Sequence, residues 1–276
     1  MENPFLGSFA DRVPLRPDPL ARVLVQLVYQ PVMKIGTPDG LAKFQDAIRS
    51  RYPTVQSMKE LLEIGEIDAQ GEHKAPHKTV TGLLYQFISS DGASRLTVAD
   101  NALTLETAHY VSREDFLEEL RFILECFLPE YSPVITRIGF RYVNRISAVG
   151  DDGELLTPTL VRKELLGLHG LFAGNPPQRE LSDARFSVPE GMVIMTWGHT
   201  EPNYVHAPEV LMPTRVPAWV VDIDTITNDA NMEIIGTTEL LDSLVEKIKD
   251  LADRGRTVFN WCVTSEFLEM FKKEES

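Results

Sequence analysis

The sequence predicts an α+β protein of mostly antiparallel sheet with helices packed on one face. Two observations carry that reading: apolar strands return through tight turns, and the helical stripes arrive after groups of strands instead of after each one. Each half of the chain can be drawn this way, which leaves either one large domain or two similar lobes. We divide the chain into an extended N-terminal arm at 1–20, an N-terminal lobe at 21–149 and a C-terminal lobe at 150–276. Composition does not change sharply at that boundary, and the two halves do not align residue for residue.

The arm contains Pro4, Pro14, Pro17 and Pro19, which exclude regular helix and suggest an extended lead into the first strand. From Arg22 to Gln30 the run is β-branched and apolar enough for a core strand, ended by Pro31. After the turn Gly36-Thr37-Pro38-Asp39-Gly40, residues Leu41, Phe44, Ala47 and Ile48 recur at helical spacing, and Pro53 closes the element. The polar stretch Gly65 to Lys78 reads as an exposed loop and Val80 to Ile88 as a strand. Around Asp100-Asn101, Leu96 and Val98 face Leu103 and Leu105 across a hairpin. Ser112, three residues before Asp115, opens a helix with buried positions Phe116, Leu120, Ile123, Leu124 and Phe127, stopped by Pro129.

Val134 to Ile146 is the most informative strand. Ile138, Phe140, Tyr142 and Ile146 fall on one face, and Arg137, Arg141 and Arg145 on the other. Turns at Gly150 to Gly153 and Asn175-Pro176-Pro177 precede strands at Phe186 to Val188, Met192 to Trp197 and Trp219 to Ile226. The proline-rich connection from Pro202 to Pro217 reads as an exposed excursion. A long helix begins near Thr238, carries Leu241, Leu244, Ile248 and Leu251, and continues past Gly255 to Val258, Phe259 and Cys262; a short helix at Phe267 to Phe271 and an acidic tail complete the chain.

Hydrophobic residues make up 43% of the 276 and charged residues 25%, which is ordinary for a folded protein. A formal net charge of -14 argues against coating nucleic acid through the overall field, although a local basic patch is compatible with it. The 2 cysteines, Cys126 and Cys262, sit in apolar helical patterns without CxxC spacing, as reduced buried thiols do. The N-terminus lacks the charged-then-apolar pattern of a signal peptide, and no apolar run approaches the roughly 18–20 residues of a membrane span. The expectation is a cytoplasmic protein.

Several segments resemble a known family: VLVQLVYQPV, LTVADNALTLET followed by HYVSREDFLEEL, RIGFRYVNRI, WVVDIDT and TVFNWCVTSEFLEMF. Together they resemble a sporadically distributed, uncharacterised prokaryotic family of about this length, with RIGFRYVNRI the most specific segment. The resemblance implies a shared fold and a bacterial origin and transfers no catalytic residue. Its patchy distribution points to a phage-defence or toxin-antitoxin-like module.

The arginine stripe is the sharpest chemical feature. Steps of four residues along a strand span about 13 Å. Such a stripe suits phosphates or the acidic groups of a nucleotide or partner. The competing reading is internal pairing with carboxylates from a covering helix or a neighbouring strand. Asp222 and Asp224 share a strand face in DxD geometry, which can hold a divalent cation, but neither a glycine-rich phosphate loop nor a GKS/GKT triplet accompanies them, and aspartates on a solvent face explain the pattern. His73 and His77 lie in the polar loop, while His109, His169, His199 and His206 are scattered without a GxSxG or HExxH motif. Of the aromatic residues, Tyr142, Trp219 and Trp261 read as core, and Trp197 and Tyr204 as surface candidates.

These features favour a non-enzymatic binding or interaction protein, with no metal or cofactor. Arg137, Arg141, Arg145, Trp197 and Tyr204 would form its contact surface for another protein, with a local nucleic-acid or nucleotide contact as a second possibility. The alternative is a metal-dependent nucleotide or nucleic-acid-processing enzyme using Asp222 and Asp224, with the arginines on phosphate. The sequence is silent on oligomeric state.

Overall fold

A computed structural model describes residues 3–10, 19–64, 77–147, 157–172, 174–227, 232–233 and 238–272. The α+β expectation holds. Strands β1 (Leu20–Tyr29), β2 (Thr54–Ile64), β3 (His77–Ile88), β4 (Ser94–Ala99), β5 (Ala102–Thr107), β6 (Val134–Ile146), β7 (Glu180–Val188), β8 (Gly191–Thr200) and β9 (Ala218–Ile226) build one antiparallel sheet in the order β2-β3-β4-β5-β1-β6-β9-β8-β7. A two-residue strand, β10 (Met232–Glu233), pairs with β6. β6 meets both β1 and β9, so the sheet runs without a break between the strands assigned to the two lobes. The lobe boundary itself lies outside the described residues, as do His73, the acidic tail and most of the loop expected at Gly65 to Lys78.

Side-chain alternation gives the sheet two unlike faces. On one, Val23, Val25, Leu27, Leu96, Val98, Leu103, Leu105, Ile138 and Phe140 are buried beneath three helices: α1 (Pro38–Ile48), α2 (Arg113–Tyr131) and α5 (Thr238–Cys262). α5 then continues over a second apolar cluster on the same side, formed by Met195, Trp219, Val221 and Ile223 with Val258, Phe259 and Cys262. Around that cluster lie α3 (Thr157–Leu160), a 3-10 turn at Lys163–Leu165, α4 (Gly167–Leu171) and α6 (Ser265–Phe271). At Gly255 α5 packs tightly on the sheet: a Cβ there would lie 3.0 Å from the Tyr142 ring and 3.4 Å from Thr225 Oγ1. No helix among the described residues is long and apolar enough to cross a membrane.

Local signals place most boundaries. Thr37 caps α1 by accepting from Gly40 N at 3.2 Å, with Pro38 pre-set for the first helical position. Gly40 is required there, because a Cβ would sit 1.7 Å from Lys34 O. Ser112 Oγ accepts from Asp115 N at 3.0 Å and starts α2 as expected. Pro129 does not stop that helix, which runs on to Tyr131 and ends at Ser132 in the left-handed region (φ 42°). Buried Phe127, Leu128 and Tyr131 hold the last turn against the core, so packing overrides the proline.

Three further expectations change. β2 lies where the sequence reading assigned no element, and His77 begins β3 instead of sitting in a loop. The described part of the N-terminal arm, residues 3–10, is not an extended lead: it turns and docks on α5 and β7. Phe5 stacks on Phe186 at 3.8 Å, and the buried Arg254 donates to Pro4 O and Gly7 O while gripping Glu190 through two 2.9 Å hydrogen bonds. Cys262 is a fully buried free thiol, whereas Cys126 is a free thiol with partial exposure.

Candidate functional site

The face of the sheet opposite the helices carries all three arginines of the stripe, and they meet different fates. Arg141 clasps Asp222 with two parallel hydrogen bonds, Nε to Oδ1 at 2.8 Å and Nη2 to Oδ2 at 2.7 Å. Asp222 is only 5% exposed. Burial pushes its carboxyl up, but the hydrogen bonds from Arg141 and His206 outweigh that and hold it below the usual carboxylate range. Arg145 donates to Met212 O at 2.8 Å, and the exposed Arg137 donates to Gln26 Oε1 at 2.8 Å. Of the three, only Arg141 pairs with a carboxylate on a neighbouring strand.

The proline-rich excursion explains the difference. It does not project into solvent: Ala207, Val210 and Leu211 are buried against Leu24 and Val143, covering the Arg141–Arg145 end of this face. Asn203 N to Thr214 O at 2.7 Å closes its neck. Arg22 Nε donates to Val210 O at 2.9 Å, His206 Nε2 lies 2.9 Å from Asp222 Oδ2, and Glu209 approaches Arg141 at 3.4 Å. Polar contacts at the rim and apolar anchors beneath make this segment part of the fold.

Beyond its edge the face stays open. Gln86, Thr97, Thr104, Gln26 and Gly139 stand in register across β3, β4, β5, β1 and β6. Gln26 Nε2 donates to Thr104 Oγ1 at 3.2 Å, and Arg95 Nε to Glu106 Oε1 at 2.6 Å. Where this row reaches β6, the missing side chain of Gly139 leaves a recess of about 90 Å³ lined by Leu24, Gln26, Thr104, Arg137, Arg141, Asp224 and Ile226. A Cβ at Gly139 would lie 3.5 Å from Asp224 Oδ1. Burial pushes the Asp224 carboxyl up to about 6, with the added repulsion of Asp222 and against the pull of Arg141 and Arg137. Nothing among the described residues donates a hydrogen bond to it.

The two aspartates do share the helix-free face, but neither is the exposed surface charge expected: Asp222 is buried and Asp224 half-buried. Both oxygens of Asp222 are engaged, so the pair is not a free two-carboxylate clamp for a cation. Among the described residues no cluster of three or more His, Cys, Asp or Glu side chains is placed to hold a metal.

The aromatic candidates are divided. Trp197 lies on the helix-covered side, half-buried against the second apolar cluster, with Nε1 donating to Leu165 O at 3.0 Å, so it shares no surface with the arginines. Tyr204 lies on the excursion beneath the Arg179 guanidinium, 4.4 Å from its ring centre. Gln26, Thr104, Gly139 and Glu209 escaped the sequence reading, and His206 was read only as one of several scattered histidines. Gln26 had a visible signal, since it is a polar residue within the apolar run VLVQLVY; the partners of His206 and Glu209 are brought in from other segments by the fold and had none. No protein-family model matches the chain, and no curated protein matches it.

Proposed function

We propose that this chain is a non-enzymatic binding protein that engages another protein through the helix-free face of its sheet. The observation that carries the reading is the unequal treatment of that face: a built-in segment seals one end, while the Gln26, Thr104 and Arg137 end is left open with its polar groups already aligned. A protein fits this surface better than a nucleic acid. Among the described residues the strands turn no aromatic ring outward on this face for bases to stack on, and the net charge of -14 repels a polyanion. The metal-dependent enzyme reading loses support from Asp222, whose carboxylate is already committed to Arg141 and His206. A place in a phage-defence or toxin-antitoxin-like module is consistent with such a binder, its partner then being a protein encoded alongside.

A photo-crosslinking side chain at Thr104, on the open face, compared with one at the exposed Glu118 of α2, tests the reading in extracts of the native host. We expect a defined protein adduct from position 104 that is absent from 118. No adduct from 104, or the same adducts from both, overturns it.

A further inference from the structure

The recess at Gly139 has opposed chemistry on its walls. Asp224 offers a carboxylate to which nothing among the described residues donates, and Arg137 uses one nitrogen on Gln26 and leaves the rest of its guanidinium free. The other charged groups lining or adjoining it are spent: Arg141 and Asp222 neutralise each other, and Glu209 leans on Arg141 from the excursion. Arg137 and Asp224 form no ion pair with each other, because Gly139 stands between Arg137 and Arg141 on β6 and Asp224 is in register with Arg141. The two backbone positions are about 13 Å apart along the strand, so Arg137 acts on Asp224 without touching it and leaves room between them for a small molecule.

We propose that this recess binds a free α-amino acid, with its carboxylate on Arg137 and its ammonium on Asp224. The inference rests on the binding-protein reading and gives that face a small-molecule ligand. A zwitterion matches both walls at once. A plain anion would meet the Asp224 carboxylate, and a plain cation would meet Arg137, so each satisfies one wall and is repelled by the other. Arg137 has the planar fork that carboxylates favour, and Leu24 and Ile226 line the recess with apolar surface for Cα and a small side chain. Gln26 and Thr104 add an amide and a hydroxyl beside the carboxylate end. Burial of Asp224 outweighs the attraction of Arg141 and Arg137, and nothing among the described residues donates a hydrogen bond to it, a role that a bound ammonium can fill. Binding is therefore tighter above about pH 6 and weakens below it, as Asp224 takes up a proton; a ligand held by Arg137 alone would show the opposite trend.

Isothermal titration and thermal melts of the intact protein at pH 7.5 test this with a panel of the common L-amino acids at millimolar concentration. Saturable binding of at least one is expected. Its N-acetyl and α-amide derivatives should bind at least about tenfold more weakly, the equivalent of one lost charge contact. Arg137→Gln, an exposed change that leaves the core untouched, should weaken binding by a similar factor, and Gly139→Val should abolish it by filling the recess. The proposal is overturned if no amino acid binds saturably, if the blocked derivatives bind as well as the parent, or if Arg137→Gln binds like the wild type. Crosslinking from Thr104 reads a protein adduct and titration reads a free amino acid, so failure of the amino-acid site is distinguishable from failure of the protein-binding reading.

Discussion

Arg137 and Arg141 stand four residues apart on the same face of one strand, and the fold treats them oppositely. Arg141 lies at the edge of the proline-rich excursion, locked onto a buried aspartate; Arg137 lies beyond it, tethered only to a glutamine amide. The same side chain is structural in one place and available in the other, and what separates the two is 17 residues of irregular chain between β8 and β9. Type and alternation place an arginine on a face. Its role depends on what covers that face.

The comparison breaks first if Arg141 proves dispensable. Arg141→Ala strands the buried Asp222 carboxylate and should cost about 3–5 kcal/mol, read as a fall in the denaturation midpoint with unchanged slope. A loss under about 1 kcal/mol would mean that the pair is open to solvent and that both arginines belong to one surface.

Next in size is the apolar anchor of the excursion. Leu211 is 6% exposed, and Leu211→Ala should cost about 2–3 kcal/mol. It should also speed proteolysis within 201–217, the readout that separates a docked segment from a loose one.

Asp224 sharpens the contrast with Asp222 through pH. Its folded carboxyl is raised to about 6 from 3.8, so the folded state holds that proton more tightly than the unfolded chain does. Stability from this group is present at low pH and falls as pH rises from about 4 through 6. Asp224→Asn should therefore stabilise the protein by about 1–3 kcal/mol at pH 7.5, with the gain vanishing near pH 4. Asp222, held below the usual range, works the other way: its contribution is present at neutral pH and lost on acidification, so Asp222→Asn should destabilise at pH 7.5.

The smallest effect belongs to Arg137→Ala, where an exposed contact is worth about 0–1 kcal/mol and the melting curve should scarcely move. A larger loss would place Arg137 in the structural class with Arg141.

Alternation and helical spacing made much of the fold legible in advance. The bounds of β6, the hairpin of β4 and β5, the Ser112 cap and the run of α5 through Gly255 all follow from residues close in sequence, where side-chain direction is set by backbone geometry. β2 was missed because TVQSMKELLEI mixes polar and apolar residues without a clean period, and its strand character comes from pairing with β3. Pro129 misled because a local penalty was outweighed by burial of Phe127, Leu128 and Tyr131.

The candidate site divides the same way. By itself the sequence determined that three arginines share one strand face and that Asp222 and Asp224 share another. Only the tertiary structure decided that these are the same face, that His206 and Glu209 reach it from a distant loop, and that Trp197 does not. Pairing between β6 and β9 and the docking of Ala207, Val210 and Leu211 bring together groups dozens of residues apart, and such contacts are set by burial of apolar surface across the whole sheet, which no local pattern encodes.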